Sequence, residues 1–181
     1  DRTGGKIGFC GESSTIKAAL ASVHNWEEPP ISGTKGSGTI FFTGCNLKCV
    51  FCQNYSISSE HSGKEISVER LSEIMLEQQA RDVHNINLVT AVHFVPSVIK
   101  AVEKARQNGL TIPIMYNSSG YEKADTIKML EGTVDIYLPD IKYFSSKLSA
   151  KYSSAPDYFE YASAAVKEMH RQCGNVIFDE N

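Results

Sequence analysis

The stretch Thr39–Asn54, TIFFTGCNLKCVFCQN, decides both the fold and the chemistry of this chain. It opens on Thr39–Phe42, a short apolar run bounded by Gly38 and Gly44, the pattern of a buried strand. Cys45, Cys49 and Cys52 follow at once as a C-x3-C-x2-C triplet. Thiolates are soft ligands that select iron–sulfur clusters or zinc, and three this close can hold three irons of a cubane cluster. No fourth cysteine lies near enough to close the site. One iron then keeps an open coordination position, and open positions mark chemistry rather than scaffolding. The stretch predicts a redox enzyme. A zinc knuckle, or a non-catalytic iron–sulfur or zinc module for electron transfer or scaffolding, is the alternative.

Outward from this loop, strands and helices alternate. Ser67–Gln79 has apolar residues at 68, 71, 74, 75 and 76 behind an N-cap serine, which predicts a helix. Ile86–Thr90 reads as a strand, and Pro96–Gln107 as a helix with proline in its first turn and Gly109 past its end. Ile112–Tyr116, Tyr121–Leu130, Val134–Leu138, Asp157–Gln172 and Val176–Phe178 continue as strand, helix, strand, helix and strand. Such alternation predicts right-handed βαβ units and a parallel sheet. The fold class is therefore α/β, a parallel (βα) partial TIM-type barrel over residues 38–181. Residues 1–37, rich in Gly, Ser and Pro with one amphipathic patch at Ser14–Val23, read as an N-terminal extension packed against it. A start at Asp1 and an end on a strand predict a fragment of a longer core.

In parallel sheets ligands collect at the carboxyl ends of the strands, so polar side chains belong just after each one. Here they are Gly44 and the cysteine loop, then Thr90 and His93, then Asn117, Ser118, Ser119 and Gly120, then Asp140 and Lys142. The remaining polar and sulfur groups read as structural. Cys10 and Cys173 are isolated, and His84 lies at the amino end of its strand. Glu27 and Glu28 read as solvated loop or helix residues without a role. Met75 and Met129 fill core, and Tyr116, Tyr121, Tyr137 and Tyr143 flank the rim as packing residues.

Composition narrows the class. With 181 residues, 41% of them hydrophobic, the chain can bury one sizeable core and reads as one domain. Its net charge of −3 leaves no electrostatic footprint for nucleic acid. No apolar run approaches the roughly 20 residues of a membrane span, and residues 1–20 lack a secretory pattern. Five cysteines, an odd count with three of them inside eight residues, fit a reduced, cytoplasmic metalloprotein rather than a disulfide framework.

The triplet at the end of a first strand, with Phe51 just before its last cysteine, resembles the radical S-adenosylmethionine (radical SAM) superfamily. The resemblance implies a [4Fe–4S] cluster on Cys45, Cys49 and Cys52, with S-adenosylmethionine chelated to the open iron and cleaved reductively to a 5′-deoxyadenosyl radical. The stretch His24–Asn54, with HNINLVT, PIMYNSSGYE, VDIYLPDIKY and AVKEMHRQCG, is further similar to pyruvate formate-lyase activating enzymes. That likeness implies hydrogen abstraction from a glycine of a glycyl-radical protein and a flavodoxin or ferredoxin-type electron donor. The same engine acting on a small molecule or an RNA base is the alternative. The likeness also implies that Asp140 and Lys142, as an Asp-x-Lys motif, contact the methionine end of the cofactor. Asn117 and Ser118 stand where activases carry an Asp-Thr pair, and with Asp140 they could frame an oxygen-rich monovalent-cation site.

Several features depart from the family. The Gly-Gly-Glu expected after the second strand reads LVTAVHF, which passes amine recognition to Thr90, His93 or backbone carbonyls. The resemblance implies fifth and sixth βα units that this chain lacks. The upstream cysteines of this subgroup are absent apart from Cys10, and no cysteine-rich insertion for auxiliary clusters follows Cys52.

Overall fold

The computed structural model describes residues 4–175, so the strand expected at 176–178 lies outside the described residues. In chain order the elements are β1 (Lys17–His24), α1 (Pro29–Ser32), β2 (Ser37–Phe42), α2 (Tyr55–Ser58), β3 (Lys64–Glu65) and α3 (Val68–Gln79). They continue as β4 (Ile86–Val89), a 3-10 turn (Val92–Phe94), α4 (Val95–Gln107), β5 (Ile114–Ser118), α5 (Ala124–Lys128), β6 (Ile136–Pro139), α6 (Ser146–Ser153) and α7 (Tyr158–Cys173). The strands form one six-stranded sheet in the order β3-β1-β2-β4-β5-β6. Strands β2, β4, β5 and β6 run parallel, as expected, while β1 joins antiparallel on the far side of β2. Among the described residues the sheet is an open arc of the kind a partial (βα) barrel presents; it does not close, and β3 and β6 are its edges.

Alternation along each strand gives the sheet two unlike faces. Ile40, Phe42, Ile86, Leu88, Ile114 and Tyr116 point to the helix side, where they bury Leu71 and Met75 of α3, Val98 and Val102 of α4, Ile127 of α5 and Met169 of α7. The residues between them carry the opposite face. Cross-strand register places Thr39 beside Asn87, and Asn87 beside Met115. The next row aligns Phe41, Val89, Asn117 and Leu138. Polar Thr39, Asn87 and Asn117 thus stand on the face that the helices leave uncovered.

Where elements differ from the sequence reading, a local cause is visible. The amphipathic patch Ser14–Val23 overlaps strand β1: Ala21 pairs with Ile40 and Val23 with Gly38, so the extension does not merely pack against the sheet but supplies part of it. Strand β5 begins two residues later than expected, because Pro113 has no N–H to give a ladder. Helix α5 is cut to five residues because Tyr121 and Glu122 are held in the loop before it, where Glu122 N–H bonds Gly120 O at 2.8 Å. Helix α6, capped by Ser145 through the N–H of Leu148, was not expected from the sequence pattern. Ser67 caps α3 as expected, accepting from Arg70 N–H at 3.1 Å. Among the described residues, no helix is long and apolar enough to cross a membrane.

Gly38 fixes the distance between β2 and the helix behind it. A Cβ there would stand 2.8 Å from Gln78 Cβ and 3.0 Å from Val83 Cγ2. Gly38→Val should therefore push α3 outward and lower stability by about 1–3 kcal/mol, an overpacking cost. Urea denaturation checks this, with an unchanged midpoint as the contrary result.

Candidate metal centre and cofactor cavity

The cysteine loop is rooted before its first cysteine. Thr43 N–H bonds Lys17 O at 3.0 Å, and its hydroxyl donates to Glu12 Oε1 at 2.8 Å. His93 Nε2 meets Thr43 O at 2.6 Å from the other side. Glu12 is only 6% exposed and shares the same Oε1 with His61 Nδ1 at 2.8 Å. The next residue must be glycine: Gly44 has φ +76°, and a Cβ would meet Glu12 Cγ at 2.6 Å and Cys10 O at 2.7 Å. Cys45 N–H then bonds Cys10 O at 3.3 Å. Further out, Leu47 is buried against Ala155, Tyr158 and Ala162, and Lys48 and Val50 donate to the carbonyls of Ser153 and Tyr152 at 3.0 Å each. The loop hangs between the N-terminal segment and the end of α6.

This scaffold aims Cys45, Cys49 and Cys52 at one cavity of about 560 Å³. Cys49 Sγ lies 2.9 Å from Ser153 Oγ, Cys52 Sγ lies 3.2 Å from Ser58 Oγ, and Cys45 Sγ accepts from Leu47 N–H at 3.4 Å. Burial pushes the Cys45 thiol up; the Leu47 N–H opposes this, while neighbouring Cys49 and Cys52 add to it. A buried thiol that resists ionisation becomes a thiolate when a metal cation binds it. Among the described residues no three His, Cys, Asp or Glu side chains converge on a single ion position. A cubane whose three irons are ligated separately needs thiols spread around a cavity, and all three line this one. The donor set fits such a cluster.

The other strand ends supply the rest of the wall. Thr90 lines the cavity with φ +60°, a costly conformation for a β-branched residue, and its N–H bonds Asn117 O at 3.0 Å. Phe51, Asn117, Ser118, Asp140 and Lys142 line it too. Lys142 Nζ lies 2.5 Å from Asp140 Oδ2. Burial works against the lysine's charge, yet the Asp140 carboxylate raises its pKa above the ordinary value. Tyr158 staples the two loops together. Its oxygen accepts from Lys142 N–H at 2.8 Å while its hydroxyl donates to Ser119 O at 2.7 Å. Gly120, with φ +73°, lets the β5 loop approach, since a Cβ there would stand 2.5 Å from Asp140 O.

The structure separates some residues that the sequence grouped. His93 does not line the cavity: the 3-10 turn carries it beneath the loop, buried, with its ring 4.3 Å from that of Phe94 and its Nε2 on Thr43 O. Its contact there is with the loop root. Ser118, although at the cavity wall, turns its hydroxyl to Glu122 Oε1 at 2.5 Å and accepts Gly120 N–H at 2.9 Å. Asp140 is engaged by Lys142 through Oδ2 and Asn117 donates its Nδ2 to Glu27, while all three of Asp140, Asn117 and Ser118 line the cavity. Two groups given no role lie on or just behind the cavity wall. Glu27 reaches the cavity from the β1–α1 loop and is held by Asn87 and Asn117. Glu122, buried behind Ser118, also accepts from Tyr116 OH at 2.9 Å.

Comparison with known proteins agrees with this geometry. The family model of the radical SAM superfamily matches residues 39–178, and the chain belongs to that superfamily. An uncharacterised protein of Methanocaldococcus jannaschii is 32% identical over 129 residues, which cover 68% of this chain and 38% of that protein. The chain thus spans well under half the length of that relative.

Glu122 gives the site a pH signature. Burial raises its pKa from 4.5 to about 7, against the opposing hydroxyls of Ser118 and Tyr116. The folded state therefore holds this proton more tightly than the unfolded chain, and stability falls as pH rises from about 4.5 to about 7, then levels off. Urea midpoints taken across that range should show the fall, and Glu122→Gln should flatten it. An equal fall in the variant would place the effect elsewhere.

Proposed function

We propose that the protein is a cytoplasmic radical SAM enzyme that takes a hydrogen atom from a glycine of a partner protein, in the manner of pyruvate formate-lyase activating enzymes. One observation carries the first part. Three thiols from the β2 loop and the Asp140–Lys142 pair from the β6 loop line the same cavity at the carboxyl ends of parallel strands. When bound, a [4Fe–4S] cluster and S-adenosylmethionine supply the electron and the 5′-deoxyadenosyl radical.

The chain's own residues hold and shield that chemistry. Cys45, Cys49 and Cys52 hold the cluster. Lys142 offers a charge-assisted donor to a carboxylate and Asp140 an acceptor for an ammonium, a match to the two ends of an amino acid. Thr90 and Asn117 shape the wall between them, and Phe41, Phe51 and Val89 make the neighbouring surface apolar. An apolar lining limits water at a site where a carbon radical would be quenched by stray hydrogen donors. The glycine target is supported by the likeness of the His24–Asn54, PIMYNSSGYE and VDIYLPDIKY stretches to the activases. A flavodoxin or ferredoxin-type protein is the electron donor on the same grounds.

Anaerobic reconstitution with iron and sulfide, followed by dithionite and S-adenosylmethionine, should yield 5′-deoxyadenosine. Replacing Cys45, Cys49 or Cys52 by Ala should remove both the bound iron and this product, and a variant retaining full turnover would contradict the ligand assignment. Lys142→Ala should keep the iron but weaken S-adenosylmethionine about 10- to 100-fold, as expected for a lost charge-assisted hydrogen bond. Equal binding by calorimetry would remove Lys142 from the cofactor site.

A further inference from the structure

Glu27 is a carboxylate on the cavity wall, which His24, the three cysteines, Asp140 and Lys142 also line. Of the other carboxylates and cations there, Asp140 and Lys142 neutralise one another. Glu27 makes no ion pair among the described residues. It is nonetheless fixed in place: Oε2 accepts from Asn87 Nδ2 at 2.9 Å and from Asn117 Nδ2 at 3.2 Å. Both amides stand on the sheet face that the helices leave uncovered, on adjacent strands. Two donors on one oxygen orient the carboxylate and leave Oε1 without a hydrogen bond to a described residue.

A second observation points the same way. Asn87 is fully buried, and its Oδ1, on the amide that holds Glu27, has no hydrogen-bond partner among the described residues. Buried acceptors are normally satisfied, so two side chains that already touch, Glu27 on the cavity wall and Asn87 behind it, each keep an acceptor without a donor among the described residues. Acceptors without donors, beside a net negative charge, match a group that brings both hydrogens and positive charge. An ammonium carries three donors and a guanidinium five, with no acceptor on either. A neutral hydroxyl or amide would satisfy one acceptor and leave the charge unbalanced.

We infer that Glu27, positioned by Asn87 and Asn117, binds a positively charged nitrogen, ammonium or guanidinium, on the molecule whose hydrogen is abstracted. The assignment to a substrate rests on the radical SAM reading above. In a protein substrate the group is a Lys or Arg side chain near the target glycine.

The reconstituted protein, kept oxidised and anaerobic, is titrated with n-butylammonium and n-butylguanidinium against n-butanol by ligand-observed NMR, with and without saturating S-adenosylmethionine. Both cations should bind at least tenfold more tightly than the alcohol, and should do so with the nucleoside present. Glu27→Gln should weaken them about tenfold, while charge-retaining Glu27→Asp keeps most of the affinity. Iron content equal to the parent shows that both variants are folded. Equal binding of alcohol and cations, or cation binding indifferent to Glu27→Gln, overturns the proposal. Displacement of the cations by S-adenosylmethionine overturns the substrate assignment, because Glu27 would then serve the cofactor's own ammonium. Cation binding without any 5′-deoxyadenosine formation strikes the reaction reading instead, and the substrate assignment falls with it.

Discussion

Thr43 is the point on which the site depends. Three thiols cannot be left on a wandering loop if each is to meet a separate iron, because thiolates brought together repel until metal joins them. The strand that precedes them must end at a fixed place and direction. Thr43 provides this through Lys17 O, the buried Glu12 carboxylate and His93 Nε2, and Gly44 then turns the chain where any side chain would strike Glu12. Glu12 is itself closed off by His61, whose own φ of +57° is unusual for a residue with a side chain. Strain and a buried carboxylate are both costly. They are held here by a core of Ile40, Leu88, Tyr116 and the helices behind them.

The two faces of the sheet divide the labour. One is apolar and covered by α3, α4, α5 and α7, and it supplies the rigidity. The other carries Thr39, Asn87 and Asn117; Asn117 lines the cavity, and Asn87 with Asn117 holds Glu27 there. The antiparallel strand β1 matters to both. It extends the sheet beyond β2, supplies Lys17 O to the loop root, and leads directly into the turn that delivers Glu27.

The triplet, the parallel alternation and the rim positions of Thr90, Asn117, Asp140 and Lys142 were legible because each is a local signal: spacing, period or place after a strand. What was hidden depends on distant partners. Strand β1 is half-buried along most of its length, so Lys17–His24 shows no clean alternation. Glu27 looks like loop solvation because its partners Asn87 and Asn117 lie 60 and 90 positions away. His93 was expected at the rim, but a 3-10 turn rather than an extended segment follows β4 and tucks it under the loop. Tyr158 and Glu122 gave no signal beyond their residue types; a tyrosine at a helix start and a glutamate after Gly120 acquire roles only when the β5 and β6 loops meet.

The central claim is a cluster with one iron facing the cavity and free to take an outside ligand. Mössbauer spectroscopy of iron-57-reconstituted protein, recorded before and after S-adenosylmethionine, tests it most directly. One iron site in four should change its isomer shift as its coordination rises, while the three held by Cys45, Cys49 and Cys52 stay as they were. Four sites unmoved by the nucleoside, or a single bound zinc in place of iron, would contradict it.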